Sequence, residues 1–499
     1  MNCTRCIVLL ASIVTITLCC AQGFNIAHHN LNLLPAQGRS VFEHQDGFLA
    51  FNVQFAWDSS ASILFTSMFD GEGNFLWETP HPNPQSMDPG IMDPVTPLLQ
   101  GGYATGITLF GNGQPNRTYL YRFDENGDTL WTRFLKEDTT LGINSGTRHL
   151  LQLPDEGFLH SGWCSVTGGA ACIMRLDSSG TILWERIYPP CTYIFNSSPT
   201  FDGGFVLGSK INSYPDQGVV IKVDSLGEQI WLERFGGRAI TVGKPTALPD
   251  GSILTTGAWE ELNASPSSEF QYGSVYRYTD NGVQVWRRDY FYGWKASTTM
   301  IRPSADGNFW VIGGRHSDDY TLNFMHLLKI DLNGDSLWMR NYWYYDSYVA
   351  ANAIYGATPT SDGGLVMTGL AKQGENDPQP FLASMWLLRV DEHGCVVPGC
   401  HTVGVNEYAA DLNQYFNLWP NPVQAGDPIS FSFDPPAGFT PTGDLRAVLL
   451  DTGGREVHSQ QFATGTSLFT IMPAVAPGTY HLHLTDQQSW LAGAKVVIE

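Results

Sequence analysis

Two pairs of adjacent acids are the residues best suited to acid–base chemistry. Glu260-Glu261 and Asp318-Asp319 fall in segments that connect apolar runs. Glycoside cleavage uses one carboxylic acid and one carboxylate on either side of the scissile bond. A carbohydrate-active hydrolase or lyase that uses such loop carboxylates is therefore one hypothesis. Adjacent acids are also common in solvated loops, so a binding protein is the competing interpretation.

The same segments carry many aromatic side chains, which suit binding. Aromatic rings stack on sugar faces, and neighbouring polar groups supply directional hydrogen bonds. The candidate binding residues are Trp57, Trp163, Trp259, Glu260, His316, Asp318, Tyr292, Trp343 and Tyr344. The alternative is that these rings pack loops over the strands beneath them. A surface-displayed binding or adhesion module for glycan or protein is the first hypothesis for function.

Short acidic turns such as Asp124–Asp128 and Asp331–Asp335 invite a calcium interpretation. Calcium needs about six to eight converging oxygen ligands, which turns of this length do not supply. We therefore expect these aspartates to stabilise turns. The sequence also lacks a Gly-x-Ser-x-Gly elbow, a His-Glu-x-x-His motif and a phosphate-binding glycine-rich loop. No metal is predicted.

Two repeated motifs position these residues. The first, Asp-x-x-Gly-x-x-x-Trp or a close variant, ends at Trp77, Trp131, Trp184, Trp231, Trp286 and Trp338. A seventh copy, Asp391 to Gly394, is followed by Pro398 instead of tryptophan. The second motif, a glycine turn, precedes each copy of the first, as in Asp202-Gly203 and Asp306-Gly307. The whole unit recurs about every fifty residues, the interval typical of a propeller blade.

Each unit predicts two tight hairpins, because glycine accepts the positive φ that such turns require. The resulting strands A, B, C and D form one blade. We therefore predict an all-β chain, a β-propeller of seven four-stranded blades followed by a small C-terminal β-sandwich. Six or eight blades are the alternatives, because one copy of the repeat is divergent. The tight turns share one end of the blades, the turn face, and the B–C and inter-blade connections share the other, the loop face. The tryptophans are predicted to fill the wedges between blades.

Closure of the ring requires a strand from elsewhere. Proline removes a hydrogen-bond donor, so the segment containing Pro398 is poor material for the outer strand of the seventh blade. The segment from Phe24 to Leu34 is the predicted substitute, paired with Trp386–Val390.

The chain divides into three predicted parts: a signal peptide over residues 1–21, a propeller over 22–405 and a C-terminal domain over 406–499. Residues 7–18 are almost all apolar but too short to span a bilayer, and no later transmembrane segment is predicted. A formal net charge of −21 argues against a nucleic-acid surface. Of the five cysteines beyond the signal, Cys395–Cys400 and Cys164–Cys172 are plausible disulfides, with Cys191 left over.

Several motifs after residue 405 carry a family resemblance. They are Trp419-Pro420-Asn421-Pro422, the turn with Asp451, Gly454 and Arg455, the strand from Gly478 through Tyr480 to Leu482, and the terminus from Lys495 to Ile498. The segment resembles the type A C-terminal sorting domain of the type IX secretion system. The resemblance implies recognition by that secretion machinery and delivery to the outer surface of a Gram-negative cell or to the medium.

The repeats are similar to propeller-like regions that often accompany this sorting domain. They also resemble the tryptophan-docking repeats of quinone-dependent dehydrogenases. Such enzymes usually carry a vicinal cysteine pair, and the only such pair in this chain, Cys19-Cys20, lies in the predicted signal. We therefore discount the quinone enzyme and expect no cofactor.

Overall fold

The computed structural model describes most of the chain after the predicted signal. The described residues are 23–28, 35–55, 62–110, 114–138, 146–164, 170–211, 217–235, 243–259, 270–316, 323–345, 350–373, 383–397, 400, 406–407, 415–434, 444–451, 455–463, 468–486 and 489–499. The named elements in these ranges are all β-strands, so the all-β prediction is confirmed. Within them, no helix has the length and hydrophobicity needed to cross a membrane.

The chain begins with β1 (Phe24–His28) and then forms the first three blades. Blade 1 comprises β2 (Ala36–His44), β3 (Gly47–Phe55), β4 (Ser62–Phe69) and β5 (Phe75–His81). Blade 2 comprises β6 (Ser86–Asp88), β7 (Thr96–Pro97), β8 (Tyr103–Phe110), β9 (Asn116–Phe123) and β10 (Thr129–Asp138). Blade 3 comprises β11 (Gly146–Gln152), β12 (Phe158–Cys164), β13 (Ala170–Leu176) and β14 (Ile182–Tyr188).

Blades 4 to 7 follow in chain order. Blade 4 comprises β15 (Cys191–Pro199), β16 (Phe205–Ile211), β17 (Gln217–Val223) and β18 (Gln229–Arg234). Blade 5 comprises β19 (Thr246–Ala247), β20 (Ile253–Trp259), β21 (Phe270–Tyr278) and β22 (Gln284–Trp294). Blade 6 comprises β23 (Ser297–Pro303), β24 (Phe309–His316), β25 (Asn323–Ile330) and β26 (Ser336–Tyr342). Blade 7 comprises β27 (Ala351–Pro359), β28 (Leu365–Lys372) and β29 (Ala383–Val390), with β1 on its outer edge.

The described residues therefore form seven antiparallel blades, and the predicted seven-bladed propeller is confirmed. Ring closure is as predicted for Phe24–His28, and the rest of the predicted segment, up to Leu34, lies outside the described residues. Strand β1 pairs antiparallel with β29, with Phe24 opposite Arg389 and His28 opposite Met385. The Nε1 atom of Trp386 donates to Oδ1 of Asn25 at 2.7 Å, which anchors the added strand to the buried face of blade 7.

The aspartates of the repeated turns are stabilising acceptors. Oδ1 of Asp224 accepts hydrogen bonds from the main-chain N–H groups two and four residues later, at 2.9 and 2.8 Å. Asp331 makes the same two bonds at 2.8 and 2.9 Å. The glycine of each turn has φ between 76° and 86°. The turns therefore match the structural role expected for them.

The repeated tryptophans lie at the joints between blades. On four turns, a Cβ atom added to the glycine would lie 2.5 to 3.0 Å from the tryptophan ring of the preceding blade. The pairs are Gly227 with Trp184, Gly282 with Trp231, Gly334 with Trp286 and Gly394 with Trp338. At the closing joint, Phe24 of β1 takes this position against Gly73. The predicted packing role of the tryptophans is thus observed at these joints.

The inner strand of blade 2 departs from the repeat. It is split into β6 and β7, which both pair with β8, and residues 89–95 between them form an inner loop. The main-chain N–H of Asp93 donates to the oxygen of Tyr355 in blade 7 at 2.8 Å. The Asp93 carboxylate also pairs with Arg302 of blade 6. The inner loop therefore crosses the propeller axis.

The C-terminal segment is a small sandwich of two sheets. Its strands are β30 (Asn406–Glu407), β31 (Phe416–Trp419), β32 (Ile429–Phe433), β33 (Leu445–Asp451), β34 (Glu456–Phe462), β35 (Leu468–Ile471), β36 (Gly478–Thr485) and β37 (Ser489–Ile498). One sheet has the order β30-β37-β36-β33-β34 and the other β31-β32-β35. A single apolar cluster centred on Phe431, Leu449 and Leu482 lies between them.

Candidate binding site on the loop face

The described residues do not include every predicted site residue. Trp57, Glu260 and Asp318 lie outside them, as do Glu261 and Asp319. The remaining candidates, which are Trp163, Trp259, Tyr292, His316, Trp343 and Tyr344, are described and fall into separate groups.

Blade 5 carries a row of three aromatic rings at its loop-face end. Trp259 is directly opposite Tyr272 in the β20–β21 register, and Tyr272 is directly opposite Tyr292 in the β21–β22 register. Directly opposed residues project from the same face of a sheet. The ring centroids are 5.6 Å apart for the first pair and 4.6 Å for the second. We call Trp259, Tyr272 and Tyr292 the aromatic row.

Exposure increases along the aromatic row towards the outer strand. Trp259 and Tyr272 are half-buried, whereas Tyr292 is 52% exposed. The Arg287 guanidinium lies 3.8 Å from the Trp259 ring centroid and covers one face of the indole. The accessible platform is therefore the Tyr292 ring, supported by the two rings behind it.

Polar groups adjoin the aromatic row on the same face of blade 5. Arg287 donates to Asp289 at 2.9 Å, and the Ser274 hydroxyl donates to the same carboxylate at 2.6 Å. The buried Nε1 of Trp259 has no hydrogen-bond acceptor in the described structure. The site thus combines an exposed ring with a cation, an anion and an unused N–H donor.

Trp163 belongs to a different group, on blades 3 and 4. The guanidinium of Arg148 lies 4.5 Å from its ring and 5.5 Å from the ring of Tyr193. The Trp163 and Tyr193 rings are 6.2 Å apart. Both aromatic residues are half-buried, so they hold Arg148 in place more than they offer a free stacking surface.

The other candidates pack locally. His316 lies 4.4 Å from the ring of Trp294, edge to face. The main-chain N–H groups of Tyr344 and Tyr345 both donate to Oδ1 of buried Asn352, at 2.8 and 3.1 Å.

Trp343 is likewise tied to its surroundings. Its ring lies 6.4 Å from that of Phe324, and its main-chain oxygen accepts from Asn25 Nδ2 at 3.2 Å. For these residues the alternative of loop packing accounts for the contacts seen. Among the described candidates, the structure joins Trp259 to Tyr292 through Tyr272.

Sequence reasoning missed Tyr272, Arg287 and Asp289. An even count back from the Tyr278–Gln284 pair at the turn between β21 and β22 would place Tyr272 opposite Tyr290, whereas its observed partner is Tyr292. The count is shifted by irregularities in that pairing, which is why spacing alone does not reveal the row.

Two surface clefts lie elsewhere. One, of about 480 Å³, is lined by residues at the joint of blades 1 and 2, including His81, Tyr121 and Thr129. The other, of about 450 Å³, includes Lys329 and Trp338 at the joint of blades 6 and 7. Neither includes a predicted site residue. Both follow from the wedge shape of a blade joint.

The disulfides expected from sequence are present in the structure. Cys164 is bonded to Cys172 on the neighbouring strand, and Cys395 to Cys400. Cys191 is free and buried, and burial raises the pKa of its thiol. The carboxylate of Glu185 lies near the first pair, but two sulfurs bonded to each other are not thiolate ligands for a metal.

The residues of the sorting resemblance meet on one side of the sandwich. The Asn421 side chain donates to the oxygen of Lys495 at 2.8 Å and accepts from the N–H of Val497 at 2.9 Å. Pro420 and Pro422, on either side of Asn421, are exposed.

A buried tyrosine and a short turn complete the set. Tyr480, two residues after Gly478, donates to the oxygen of Ala476 at 2.7 Å. Asp451 accepts from the N–H of Arg455 at 2.9 Å, while Gly454 lies outside the described residues. Each conspicuous motif therefore has a local structural role in the sandwich.

Comparison with solved structures finds similar architectures. The WD40 domain of Pan2 from Neurospora crassa is 11% identical, with a TM-score of 0.43 over 74% of this chain and 95% of that one. The β-propeller domain of the Trilobed protease from Pyrococcus furiosus is 11% identical, with a TM-score of 0.40 over 74% and 96%. An α-L-arabinanase from Penicillium chrysogenum, complexed with arabinobiose, is 12% identical, with a TM-score of 0.37 over 60% and 92%.

No protein-family model matches the chain, and no curated protein matches it.

Proposed function

We propose that this protein is an exported binding module that recognises glycan through the loop face of blade 5. The observation that carries the proposal is the aromatic row, which ends in Tyr292 with 52% of its surface exposed. Isolated exposed rings are common on protein surfaces. Three rings in direct cross-strand register, the last of them exposed and the first in contact with the Arg287–Asp289 pair, form a more specific arrangement.

The chemistry of the row suits a sugar. The C–H groups on one face of a pyranose pack on an aromatic ring, and its hydroxyls need both donors and acceptors. Arg287 supplies donors and Asp289 supplies acceptors next to the rings. Both side chains are about 30% exposed, at 30% and 26%, so they are accessible and yet held in place. Catalysis is not needed to explain this arrangement.

The proposal is tested by screening the full chain against immobilised neutral and acidic oligosaccharides, with a panel of surface proteins in parallel. We expect oligosaccharide binding that Tyr292→Ala reduces about tenfold or more, the loss of one stacking contact of about 1.5 kcal/mol. Trp259→Ala should also reduce it, because this ring supports Tyr292 through Tyr272. Trp343→Ala serves as the matched loop-face control, because its ring packs beside Phe324. Protein binding without glycan binding, or glycan binding that ignores both substitutions, would overturn the proposal.

We further propose that the C-terminal sandwich directs export through the type IX secretion machinery. The clustering of Asn421 with the last strand supports this role, because it presents the Pro420–Pro422 segment on an exposed surface. In a Gram-negative host that has this machinery, deletion of residues 406–499 should retain the protein inside the outer membrane. Asn421→Ala should reduce surface delivery. Unchanged delivery of the deletion variant would exclude this route.

A further inference from the structure

The buried cations of this propeller follow a rule, and Arg39 breaks it. The described residues contain six lysines and arginines that are less than 9% exposed. Five of them have a carboxylate partner: Arg175 with Asp155, Lys222 with Asp202 and Asp280, Arg302 with Asp93, Lys329 with Asp306 and Arg389 with Asp362. Arg39, at 6% exposed, has none in this part of the chain, and its Nε atom is buried without a hydrogen bond.

A buried charge without a partner is costly, by several kcal/mol for an isolated ion. Arg39 lies on the inner strand β2, and its guanidinium is 5.6 Å from the ring of Tyr355 in blade 7. The N–H groups of a guanidinium lie in its own plane, where two oxygens of an oxyanion accept parallel hydrogen bonds. The position is therefore prepared for an anion.

A second arginine lies on the other side of blade 2: a Cβ atom added to Gly90, two residues after Asp88, would lie 2.7 Å from the main-chain oxygen of Arg148. Arg148, on the inner strand of blade 3, is stacked on Trp163 and also has a buried Nε without a hydrogen bond. Burial is the main cause of the lowered pKa of Arg39. Asp88 and Tyr355 raise this pKa, and the positive charge of Arg148 lowers it. We call Arg39 and Arg148 the axial arginine pair.

The nearest acid does not neutralise the axial arginine pair. Asp88 ends β6, and its Oδ1 accepts from the N–H of Gly90 at 2.9 Å, which begins the turn into the inner loop. It forms no ion pair with either arginine among the described residues. Asp88 therefore moderates the positive potential without filling the position of an anion.

The rest of the axis is also positive. Lys244, just before β19, is half-buried, and burial together with the charge of Arg302 lowers its pKa to about 8 against the opposing effect of Asp93. His149 is buried and its pKa is lowered, so it adds no positive charge at neutral pH. Within the described part of the chain, four cations (Arg39, Arg148, Lys244 and Arg302) and two acids (Asp88 and Asp93) therefore act on one another here, in a protein whose net charge is −21.

We propose that the axial arginine pair binds an oxyanion, the carboxylate or sulfate group of a ligand that approaches from the loop face. Both arginines are the third or fourth residue of strands that begin at that face, β2 at Ala36 and β11 at Gly146. The anion is either a free ion or the charged group of an acidic saccharide. The second source rests on the proposed glycan-binding function, and the first does not.

The test measures binding to the full chain by calorimetry and thermal unfolding at low ionic strength. The probes are sodium sulfate, sodium galacturonate and an oligogalacturonate, with a neutral galactose oligomer and sodium chloride as references. We expect at least one oxyanion to bind and to raise the Tm above that in chloride at equal ionic strength. Arg39→Gln and Arg148→Gln should each weaken that affinity about tenfold or more. Arg186→Gln is the control, because Arg186 also stacks on a tryptophan, at 5.5 Å from Trp184, but lies at a blade joint.

Folding of the variants is checked independently of binding. Without anion, Arg39→Gln should unfold at the same temperature as the wild type or higher, because it removes a buried unpaired charge. If oligogalacturonate binds and sulfate does not, the anion is the charged group of a saccharide. If sulfate binds as well, a free ion is sufficient. Either result supports the axial arginine pair as the site. Absence of any oxyanion binding, or full binding in both variants, would overturn the inference. Neutral-glycan binding that depends on Tyr292 but not on Arg39 would leave the proposed function intact.

Discussion

The phenolic oxygen of Tyr290 donates a hydrogen bond of 2.9 Å to the main-chain oxygen of Gly334, across the joint between blades 5 and 6. Tyr188 makes the same contact with Gly227 at 2.8 Å, across the joint between blades 3 and 4. In both places the tryptophan four residues earlier packs on the same glycine. The outer strand of one blade thus clamps the repeated turn of the next through a ring, a hydroxyl and a glycine without a side chain.

The first prediction concerns the glycine of the clamp. Gly334 and Gly307 both have φ of +81° and lie in blade 6, but a Cβ on Gly334 would lie 2.9 Å from Trp286, whereas a Cβ on Gly307 would meet nothing within 4 Å. Gly307→Ala should cost about 1 kcal/mol of unfolding free energy from backbone strain alone. Gly334→Ala should cost about 1 to 3 kcal/mol more, because the ring must move. Urea unfolding of both variants gives the difference; equal losses would contradict the clamp.

The second prediction concerns the tyrosine hydroxyl of the clamp. Tyr188→Phe removes the hydrogen bond to Gly227 and leaves a buried carbonyl without that donor, which should lower the free energy of unfolding by about 1 to 2 kcal/mol. The matched control is Tyr278→Phe, because Tyr278 is 2% exposed and its hydroxyl has no hydrogen-bond partner in the described structure. That variant should be as stable as the wild type or more so. A larger loss for Tyr278→Phe would refute the explanation.

The third prediction concerns acid stability. Burial lowers the pKa of His160 from 6.5 to about 4, as it does for His81 and His326. The unfolded chain takes up these protons near pH 6.5 but the folded chain does not until about pH 4, so stability should fall as the pH falls through this interval. Aspartates whose pKa is lowered in the folded state lose their contribution to stability only at lower pH. The pKa of Asp202, for example, is lowered to about 2.

The change in Tm between pH 7.5 and pH 4.5 measures the effect. His160→Gln should make this change smaller, whereas His393→Gln should not, because the His393 side chain is 42% exposed. Identical pH profiles for the wild type and His160→Gln would show that burial of this histidine does not limit acid stability.

The fourth prediction concerns ring closure. Asn25→Ala removes the acceptor for Nε1 of Trp386, a residue that is fully buried, at 0% exposed. An unsatisfied buried donor costs about 1 to 3 kcal/mol, so the variant should unfold at lower urea concentration and β1 should become accessible to protease first. A variant with the stability and the protease resistance of the wild type would show that β1 is not needed to close the propeller.

Much of the fold was predictable because it is periodic. The repeated glycine turns give the blade count, and the break at Pro398 indicates that the N-terminal strand closes the ring. A further pattern was also readable: Trp-x-Arg-x-Tyr occurs at Trp184–Tyr188, Trp286–Tyr290 and Trp338–Tyr342, and alternation along a strand puts all three side chains on the face of the next joint. These features depend on local spacing, which a single sequence contains.

The site was less predictable because it depends on distance between blades. Nothing in the spacing of Arg39 and Arg148 shows that blades 1 and 3 bring them into electrostatic reach at the axis. The inner loop replaces part of an inner strand, and its contact between Asp93 and Arg302 spans 209 residues. The predicted aromatic face proved to be several separate groups, since each ring packs within its own blade or against a direct neighbour. Of these groups, the aromatic row has the most exposed ring.

The affinity of the full chain for its best oligosaccharide, compared between Tyr292→Ala and Trp77→Ala, tests the central claim most directly. Both residues lie on outer strands and are exposed, at 52% and 36%, but Tyr292 ends the aromatic row and Trp77 belongs to the structural repeat. We expect Tyr292→Ala to weaken binding about tenfold or more with an unchanged Tm, and Trp77→Ala to leave the affinity unaltered. Equal affinity in Tyr292→Ala and the wild type would contradict a glycan site on blade 5.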